Sequence, residues 1–322
     1  FAGHEVSREY YSNDYGTQVE RFGASIAARA RGAEVPEDGY QGEYIDEIAQ
    51  SIEGAAELPA DQLQELGVTK MLELIAATLE RMGVAIDVWF SEKSLHDGRF
   101  DQAIQALTEA GHVYEHDGAT WLRTSDFGDD KDRVLRRGNG DFTYFATDIA
   151  YHQDKRARGF DRLIDVWGAD HHGYIPRMKA AYSALGGDPE TFEPVIMQLV
   201  NLTDGGERVQ MSKRTGEFVT VDDLIDDIGA DALRFFLVQR SHETAMDLDL
   251  ELAREQSDKN PVYYVQYAHA RINSMLDRAG LCEDAGLPSS PPELHESERG
   301  LIRKLIEFPD EIAEAAARRT PH

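Results

Sequence analysis

The stretch VQMSKRTGEF (Val209–Phe218) sets two adjacent cations, Lys213 and Arg214, behind the small hydroxyl of Ser212 and ahead of the flexible pair Thr215-Gly216. A mobile positive loop needs a reason in a chain of formal net charge −27, and three other polar clusters are candidates to share it. VWGADHHGYIPR (Val166–Arg177) gathers Gly168, Asp170, His171 and His172 between a strand pattern and a helix pattern; Gly168 and Gly173 allow backbone to approach a ligand closely. Asp-His-His is rich in metal ligands, but neighbouring histidines in such a turn point apart and no third spaced ligand accompanies them, so no metal site is expected. TYFATDIAYH (Thr143–His152) puts Tyr144 and Asp148 four residues apart, on one face of a helix. A surface Asp148 paired with Lys155 or Arg156 is the commoner arrangement; the other is a buried carboxylate and phenol shaped to hold a cationic side chain by charge-assisted hydrogen bonds. REYYSNDYGTQ (Arg8–Gln18) packs Asn13, Asp14, Gly16 and Gln18 into a short turn that a plain loop explains equally well.

The elements that must position these clusters alternate between strand and helix. GHEVSREYY (Gly3–Tyr11) reads as a strand and QVERFGASIAARA (Gln18–Ala30) as an amphipathic helix, with further helices expected over Tyr44–Ile52 and Leu66–Met82. AIDVWFSE (Ala85–Glu92) has strand character, FDQAIQALTEAG (Phe100–Gly111) is helical, and HVYEHDGATWLRT (His112–Thr124) reads as a hairpin turning on Asp117-Gly118. Apolar runs over Asp161–Gly168 and Pro194–Leu202, with a helix over Arg177–Gly187 between them, form a β-α-β unit and hence a doubly wound parallel sheet. Ligands of such sheets sit beyond the carboxyl ends of the strands, where the 166–177 cluster falls. From Asn260 the character changes: Asn260 suits a helix N-cap and Pro261 the first helical position, Gly280 closes the helix, and GLPSSPP (Gly286–Pro292) links it to more helix running to His322.

Composition bounds the function classes. The 322 residues, 41% hydrophobic with 13 Phe, 13 Tyr and 3 Trp, suffice for a large core. No apolar run approaches the ~20 residues that span a bilayer. Cys282 is the only cysteine, which excludes disulfides and cysteine-rich zinc sites and fits a reducing cytoplasm. The acidic excess argues against indiscriminate phosphate binding, though a local basic face can still meet a nucleic acid.

MSKR resembles the Lys-Met-Ser-Lys-Ser loop of class I aminoacyl-tRNA synthetases. Together WGADHHGYIPR, TYFATDIAYH, FGDDKDRVL (Phe127–Leu135) and REYYSNDYGTQ resemble the arginyl-tRNA synthetase family of bacterial type. Five segments in the family's order, spread from the start of the chain to the helix at Pro261, are far more specific than the loop alone. The resemblance implies a Rossmann-like α/β catalytic domain over 1–259, with an inserted α+β segment at about 85–142 and the signature loop at 209–218. An all-α helical-bundle domain, a partial anticodon-binding domain, would follow over 260–322. It implies ATP-dependent activation of L-arginine to arginyl-adenylate and transfer to tRNA-Arg, with ATP entering as its Mg2+ complex and no protein-bound structural metal. In that resemblance Lys213 and Ser212 are catalytic. Gly168, His171 and Met211 join Ser212 and Lys213 at ATP, while Tyr144, Asp148, Asp170, Asn13 and Gln18 receive arginine. Arg271 and Arg278 are expected to meet tRNA. A cytoplasmic monomer without membrane contact is expected.

Two departures from the family matter. The first lysine of the loop is Gln210, which leaves Lys213 to carry most of the charge, and His-x-Gly-His is absent, His4 in FAGHEV being a decoy. The expectation is an internal portion of a longer protein, inactive by itself for lack of one phosphate-handling signature. A cysteinyl relative would need more than Cys282, and glutamyl or glutaminyl relatives would want a cation where this pocket offers Asp148. The rival of a different class is a non-catalytic tRNA-binding or interaction module derived from a synthetase.

Overall fold

A short strand, β1 (Glu9–Ser12), pairs in parallel with β2 (Val88–Ser91), and three helices fill the span between them. These are α1 (Thr17–Ala30), α2 (Glu43–Ser51) and α3 (Ala60–Arg81). The computed structural model describes residues 2–209, 219–280 and 293–322. In α1 the apolar residues recur at helical spacing, so Val19, Phe22 and Ile26 fall on one buried stripe and join Ile45, Ile48 and Leu63 in a core of their own. Close approach of α1 to α3 depends on Gly23, where a Cβ would lie 2.7 Å from Cβ of Gln64. The expected strand over Gly3–Tyr11 is shorter and later than its pattern: pairing begins at Glu9, after the Arg8 carbonyl has accepted from the amides of Asp87 and Val88.

After β2 a 3-10 turn (Glu92–His96) leads into α4 (Arg99–Glu109) and then the antiparallel sheet β3 (Val113–His116), β4 (Ala119–Leu122) and β5 (Arg133–Arg136). The β3–β4 hairpin turns on Asp117 and Gly118, whose φ values of 50° and 72° are both left-handed, as a two-residue type I′ connection requires. Helix α5 (Tyr144–Ala157) begins at Thr143, whose hydroxyl accepts from the Ala146 amide at 3.3 Å. It is followed by β6 (Leu163–Gly168), α6 (Ile175–Ala184) and β7 (Phe192–Met197), with β6 and β7 parallel in register from Leu163↔Phe192 to Gly168↔Met197. Phe145, Ile149, Leu163, Met178 and Phe192 knit this β-α-β unit to α5 and to the antiparallel sheet in one core.

The apolar run Pro194–Leu202 reads as a single strand but divides between two sheets. β7 ends at Met197, and β8 (Val200–Asp204) pairs with β9 (Glu207–Arg208) on one side and in parallel with a later strand on the other. The turn is made by backbone bonds to a distant segment: the Gln198 amide donates to the His242 carbonyl at 2.8 Å, and the Met246 amide to that of Leu199 at 3.2 Å. No glycine or proline marks the break, so the pattern hides it. Two helices, α7 (Val221–Ile228) and α8 (Ala230–Val238), lead to that later strand, β10 (Met246–Asp249), and to the short α9 (Leu250–Arg254). Leu202, Leu233, Phe236 and Leu248 form the core here.

Asn260 then launches the helical segment. Its carboxamide oxygen accepts from the Val262 amide at 3.0 Å while its NH2 donates to the carbonyls of Ala253 and Glu255, each at 3.0 Å. One buried side chain thus caps α10 (Pro261–Ala279) and ties it to α9. Helix α11 (Glu296–Arg318) completes the chain, with no strand after β10 among the described residues. The architecture is α/β, built on parallel strand pairs, with an antiparallel three-stranded sheet and a short antiparallel strand at β9, followed by helices. Among the described residues, no helix is long and apolar enough to cross a membrane.

Candidate active site

A cavity of about 510 Å3 opens between β1, α5 and β6. Helix α5 presents it with Asp148 because the neighbouring Phe145 and Ile149 are drawn into the core, which leaves the carboxylate at the boundary. The phenol of Tyr174, at the end of the 3-10 turn Ala169–Tyr174, donates to Asp148 Oδ2 at 2.5 Å. Burial pushes the Asp148 carboxyl above its usual range and the nearby Asp165 pushes the same way; the Tyr174 hydrogen bond and the His152 and His171 rings offset this only in part.

Asp165 on β6 has the opposite environment. His152 Nε2 lies 2.8 Å from its Oδ2, and Lys155 Nζ bonds its Oδ1. The other His152 nitrogen, Nδ1, faces the Asp148 carbonyl at 2.7 Å. Burial alone would raise the Asp165 carboxyl, but His152 and Lys155 outweigh it and hold the group well below the usual carboxylate range. The two carboxylates are thus separated by surroundings: one is matched to cations of the chain, and the other faces the cavity without one. At the start of β1, Glu9 is likewise paired, accepting from Tyr151 and from Arg158; burial would raise its carboxyl, but these partners hold it down.

A second acidic group deepens the imbalance. Glu92, at the start of the turn after β2, is buried and pushed up to about 7, first by desolvation and then by repulsion from Asp14 and Asp148, while a hydrogen bond from Tyr11 works the other way. Asp14 is spent on the Ser91 hydroxyl at 2.5 Å and the Lys93 amide at 2.9 Å, which fixes the loop after β1. Among the described residues, no lysine or arginine forms an ion pair with Asp14, Glu92 or Asp148. A site with this charge and a half-sunken carboxylate suits a cationic guest, above all a planar one that can bond two oxygens at once.

The expected site residues are distributed unevenly around this cavity. His171 lines it, packed against Trp167 and Tyr174 with ring centroids 6.1 and 6.3 Å away, while His172 lines a different depression, so the adjacent histidines do diverge. Asp170 is 84% exposed and folds back over Gly168, where a Cβ would lie 2.7 Å from Asp170 Oδ1. Tyr144 is 83% exposed at the first turn of α5, and the phenol on Asp148 is that of Tyr174 instead. Asn13 and Gln18 are exposed on either side of the Asp14 turn. Arg271 is bonded by Nη1 to the Tyr267 hydroxyl at 3.1 Å, and Arg278 sits exposed in the last turn of α10. Met211, Ser212 and Lys213 lie outside the described residues. Sequence reasoning missed Tyr174, Glu92 and Tyr11. Tyr174 stands three residues beyond His171 in a segment already singled out, but only the approach of that turn to α5 reveals its role.

Comparison with known proteins bears on the family and the fold. The family model of class I (R) tRNA synthetase catalytic domains matches residues 40–276, and that of the DALR anticodon binding domain matches residues 265–322. The arginine–tRNA ligase of Bacillus subtilis is 50% identical over 342 aligned positions, and that of Anoxybacillus flavithermus 49% over 339. In both cases all of this chain is covered, and the chain spans 61% of the relative's length. A crystal structure from Campylobacter jejuni described as an arginyl-tRNA synthetase superposes with a TM-score of 0.92 at 36% identity, over 99% of this chain and 73% of that one. The α/β core with its paired and unpaired carboxylates, the helices beyond Asn260 and these likenesses lead to one conclusion: the chain belongs to the arginyl-tRNA synthetase family of class I tRNA synthetases.

Proposed function

We propose that this chain is the arginine-binding core of an arginine–tRNA ligase, and the observation that carries the reading is the uncompensated carboxylate of Asp148 in a cavity whose other acids are already engaged or crowded. L-Arginine would enter with its guanidinium toward Asp148 and Glu92. Its carboxylate oxygen would attack the α-phosphorus of ATP, supplied as the Mg2+ complex, forming arginyl-adenylate as the bond to the bridging oxygen breaks and pyrophosphate leaves. The arginyl group would then pass to tRNA-Arg. Gly168 and His171, at the carboxyl end of β6, are the proposed floor of the ATP site. Met211, Ser212 and above all Lys213 are proposed to meet the phosphates as they gain charge. Tyr144, Asp170, Asn13 and Gln18 remain proposed arginine contacts that would have to turn toward the cavity when it fills. The match of residues 265–322 to an anticodon binding domain supports Arg271 and Arg278 as tRNA contacts. The reading also implies a monomer acting in the cytoplasm.

Titration calorimetry of the chain with L-arginine, L-lysine and L-glutamate tests the pocket. Arginine should bind, lysine far less, because its compact ammonium cannot span two oxygens, and glutamate not at all. Amino-acid-dependent ATP–pyrophosphate exchange by the complete gene product, run in the presence of tRNA with each amino acid in turn, tests the activity. A response to any amino acid other than arginine overturns the reading.

A further inference from the structure

Glu92 is held in place from outside its own element. It is the first residue of the 3-10 turn after β2, and its neighbours on both sides donate to a single carboxylate. The Ser91 hydroxyl reaches Asp14 Oδ2 at 2.5 Å, and the Lys93 amide reaches Asp14 Oδ1 at 2.9 Å. Asp14 stands in the loop after β1, just beyond the Ser12↔Ser91 pair that ends the β1–β2 register. The next residue, Tyr15, lays its ring against His96 with centroids 3.7 Å apart, so the loop grips both ends of the turn. Within the turn, the Ser91 carbonyl accepts from the Ser94 hydroxyl at 2.7 Å.

The titratable groups that bear on the Glu92 carboxyl come from three places: Tyr11 of β1, Asp14 of the following loop and Asp148 of α5. The nearby cations are committed to other partners. Lys93 Nζ bonds Glu65 of α3 at 2.7 Å, and Arg99 of α4 lies 3.1 Å from Ser94 Oγ and 3.6 Å from Asp154 of α5. Asp14 therefore acts on Glu92 in two ways. Its hydrogen bonds fix the backbone from which the Glu92 side chain springs, and its charge works against ionisation of the Glu92 carboxyl. A carboxamide in its place offers one acceptor atom where the carboxylate offers two, and so meets one donor of the pair.

We propose that Asp14 is a positioning residue for arginine recognition, acting through Glu92 by setting where that second carboxylate stands relative to Asp148. Its purpose rests on the arginine-binding reading above; the hold of Asp14 on Glu92 rests on the geometry of the turn alone. A planar guanidinium gains from two carboxylates only when both are fixed, whereas a compact ammonium is satisfied by one. Asp14 thus bears on the choice between arginine and lysine without touching either.

Two variants of the 322-residue chain separate position from charge. Asp14→Asn removes one acceptor and the charge, while Ser91→Ala removes one hydrogen bond and leaves the charge. In titration calorimetry well above neutrality, where Glu92 is ionised in every sample, Asp14→Asn should bind arginine about tenfold less tightly. Ser91→Ala should weaken it by less, and the preference for arginine over lysine should fall in both. Carbon-13 spectra of chain labelled at the glutamate carboxyl carbons follow Glu92 directly, its resonance being the one missing from Glu92→Gln. Its midpoint, about 7 in the wild type, should move down in Asp14→Asn and stay in place in Ser91→Ala. Arginine affinity of Asp14→Asn within about twofold of wild type, or a Glu92 midpoint that does not move in it, overturns the proposal. So does an equal movement of the midpoint in Ser91→Ala, which would mark a general loosening of the turn. Far-ultraviolet melting establishes that each variant is folded. Absence of arginine binding by the wild-type chain overturns the arginine-binding reading instead, and the carboxyl titration, which needs no ligand, still decides whether Asp14 governs Glu92.

Discussion

Replacing Asp148 by asparagine removes one charge and almost no volume, and the structure says what that should cost. Oδ2 accepts from Tyr174 at 2.5 Å, while Oδ1 has no side-chain donor among the described residues, and the residue lines the cavity. In the variant, the carboxamide has two choices. If its oxygen stays on Tyr174, its NH2 meets the arginine guanidinium donor to donor, and a cation is left unpaired in a partly dry site, a state that costs about 3–5 kcal/mol. If it flips, the oxygen accepts one hydrogen bond from the guanidinium and the rotated Tyr174 hydroxyl accepts from the NH2; only the charge assistance is lost, about 1.5–3 kcal/mol. The flip is available, so the expected loss lies toward the lower figure, and Glu92 and Asp14 leave some residual attraction. A fall in arginine affinity of about 10- to 150-fold follows, since ~1.4 kcal/mol is tenfold. Titration calorimetry measures it, and a pH series sharpens it. Because the Asp148 carboxyl is raised, wild-type affinity should climb as pH rises through that raised value and then level off. Asp148→Asn should lose that step and keep only the one that belongs to Glu92, moved below 7 because the repulsion from Asp148 is gone. Arginine binding by Asp148→Asn within about twofold of wild type, ~0.4 kcal/mol, would refute the pocket.

Glu92 makes a stability prediction of its own. Its carboxyl holds a proton up to about 7 in the folded chain but only to its ordinary 4.5 when unfolded, so between these values the folded state binds more protons and stability falls as pH rises. The unfolding free energy of Glu92→Gln, from denaturant titrations, should lose this slope and exceed wild type above neutrality by at most about 3 kcal/mol; a larger slope in the variant contradicts the assignment. Asp165 has the reverse sign, since a carboxyl held low contributes stability above its ordinary range that is lost only in strong acid. Asp165→Asn strands the buried Lys155 and His152 and should cost about 3–5 kcal/mol in urea unfolding, with Lys155→Met in the same chain recovering much of it. In the complete enzyme, Lys213→Ala should lower turnover by about 10²–10³ while calorimetry shows arginine affinity nearly unchanged, because its cation is needed when the phosphates gain charge.

How far the sequence led can be judged on helix α5. Its existence was legible, since TYFATDIAYH carries the period, while its Thr143 cap comes from the structure. What it left open was whether Asp148 pairs with Lys155 or Arg156 or lies in a pocket, because helical spacing fixes which residues share a face and not which strand that face meets. The structure decides by taking both cations away: Lys155 reaches across to Asp165 on β6, and Arg156 is used up on the carbonyls of Leu185 and Gly186. Asp117-Gly118 and Asn260-Pro261 were readable for the complementary reason, since a left-handed turn and a helix cap are local requirements that one or two side chains satisfy. The division of Pro194–Leu202 and the raised Glu92 were not, because each depends on residues distant in the chain: the His242 carbonyl in one case, Tyr11, Asp14 and Asp148 in the other. Charge follows the same rule. An excess of acids is visible in composition, but which carboxylates stay unmatched is settled only when strands and helices bring the few cations to particular partners. Asp148 is such a group, since its neighbours along α5 spend their charge elsewhere and leave its carboxylate to the cavity.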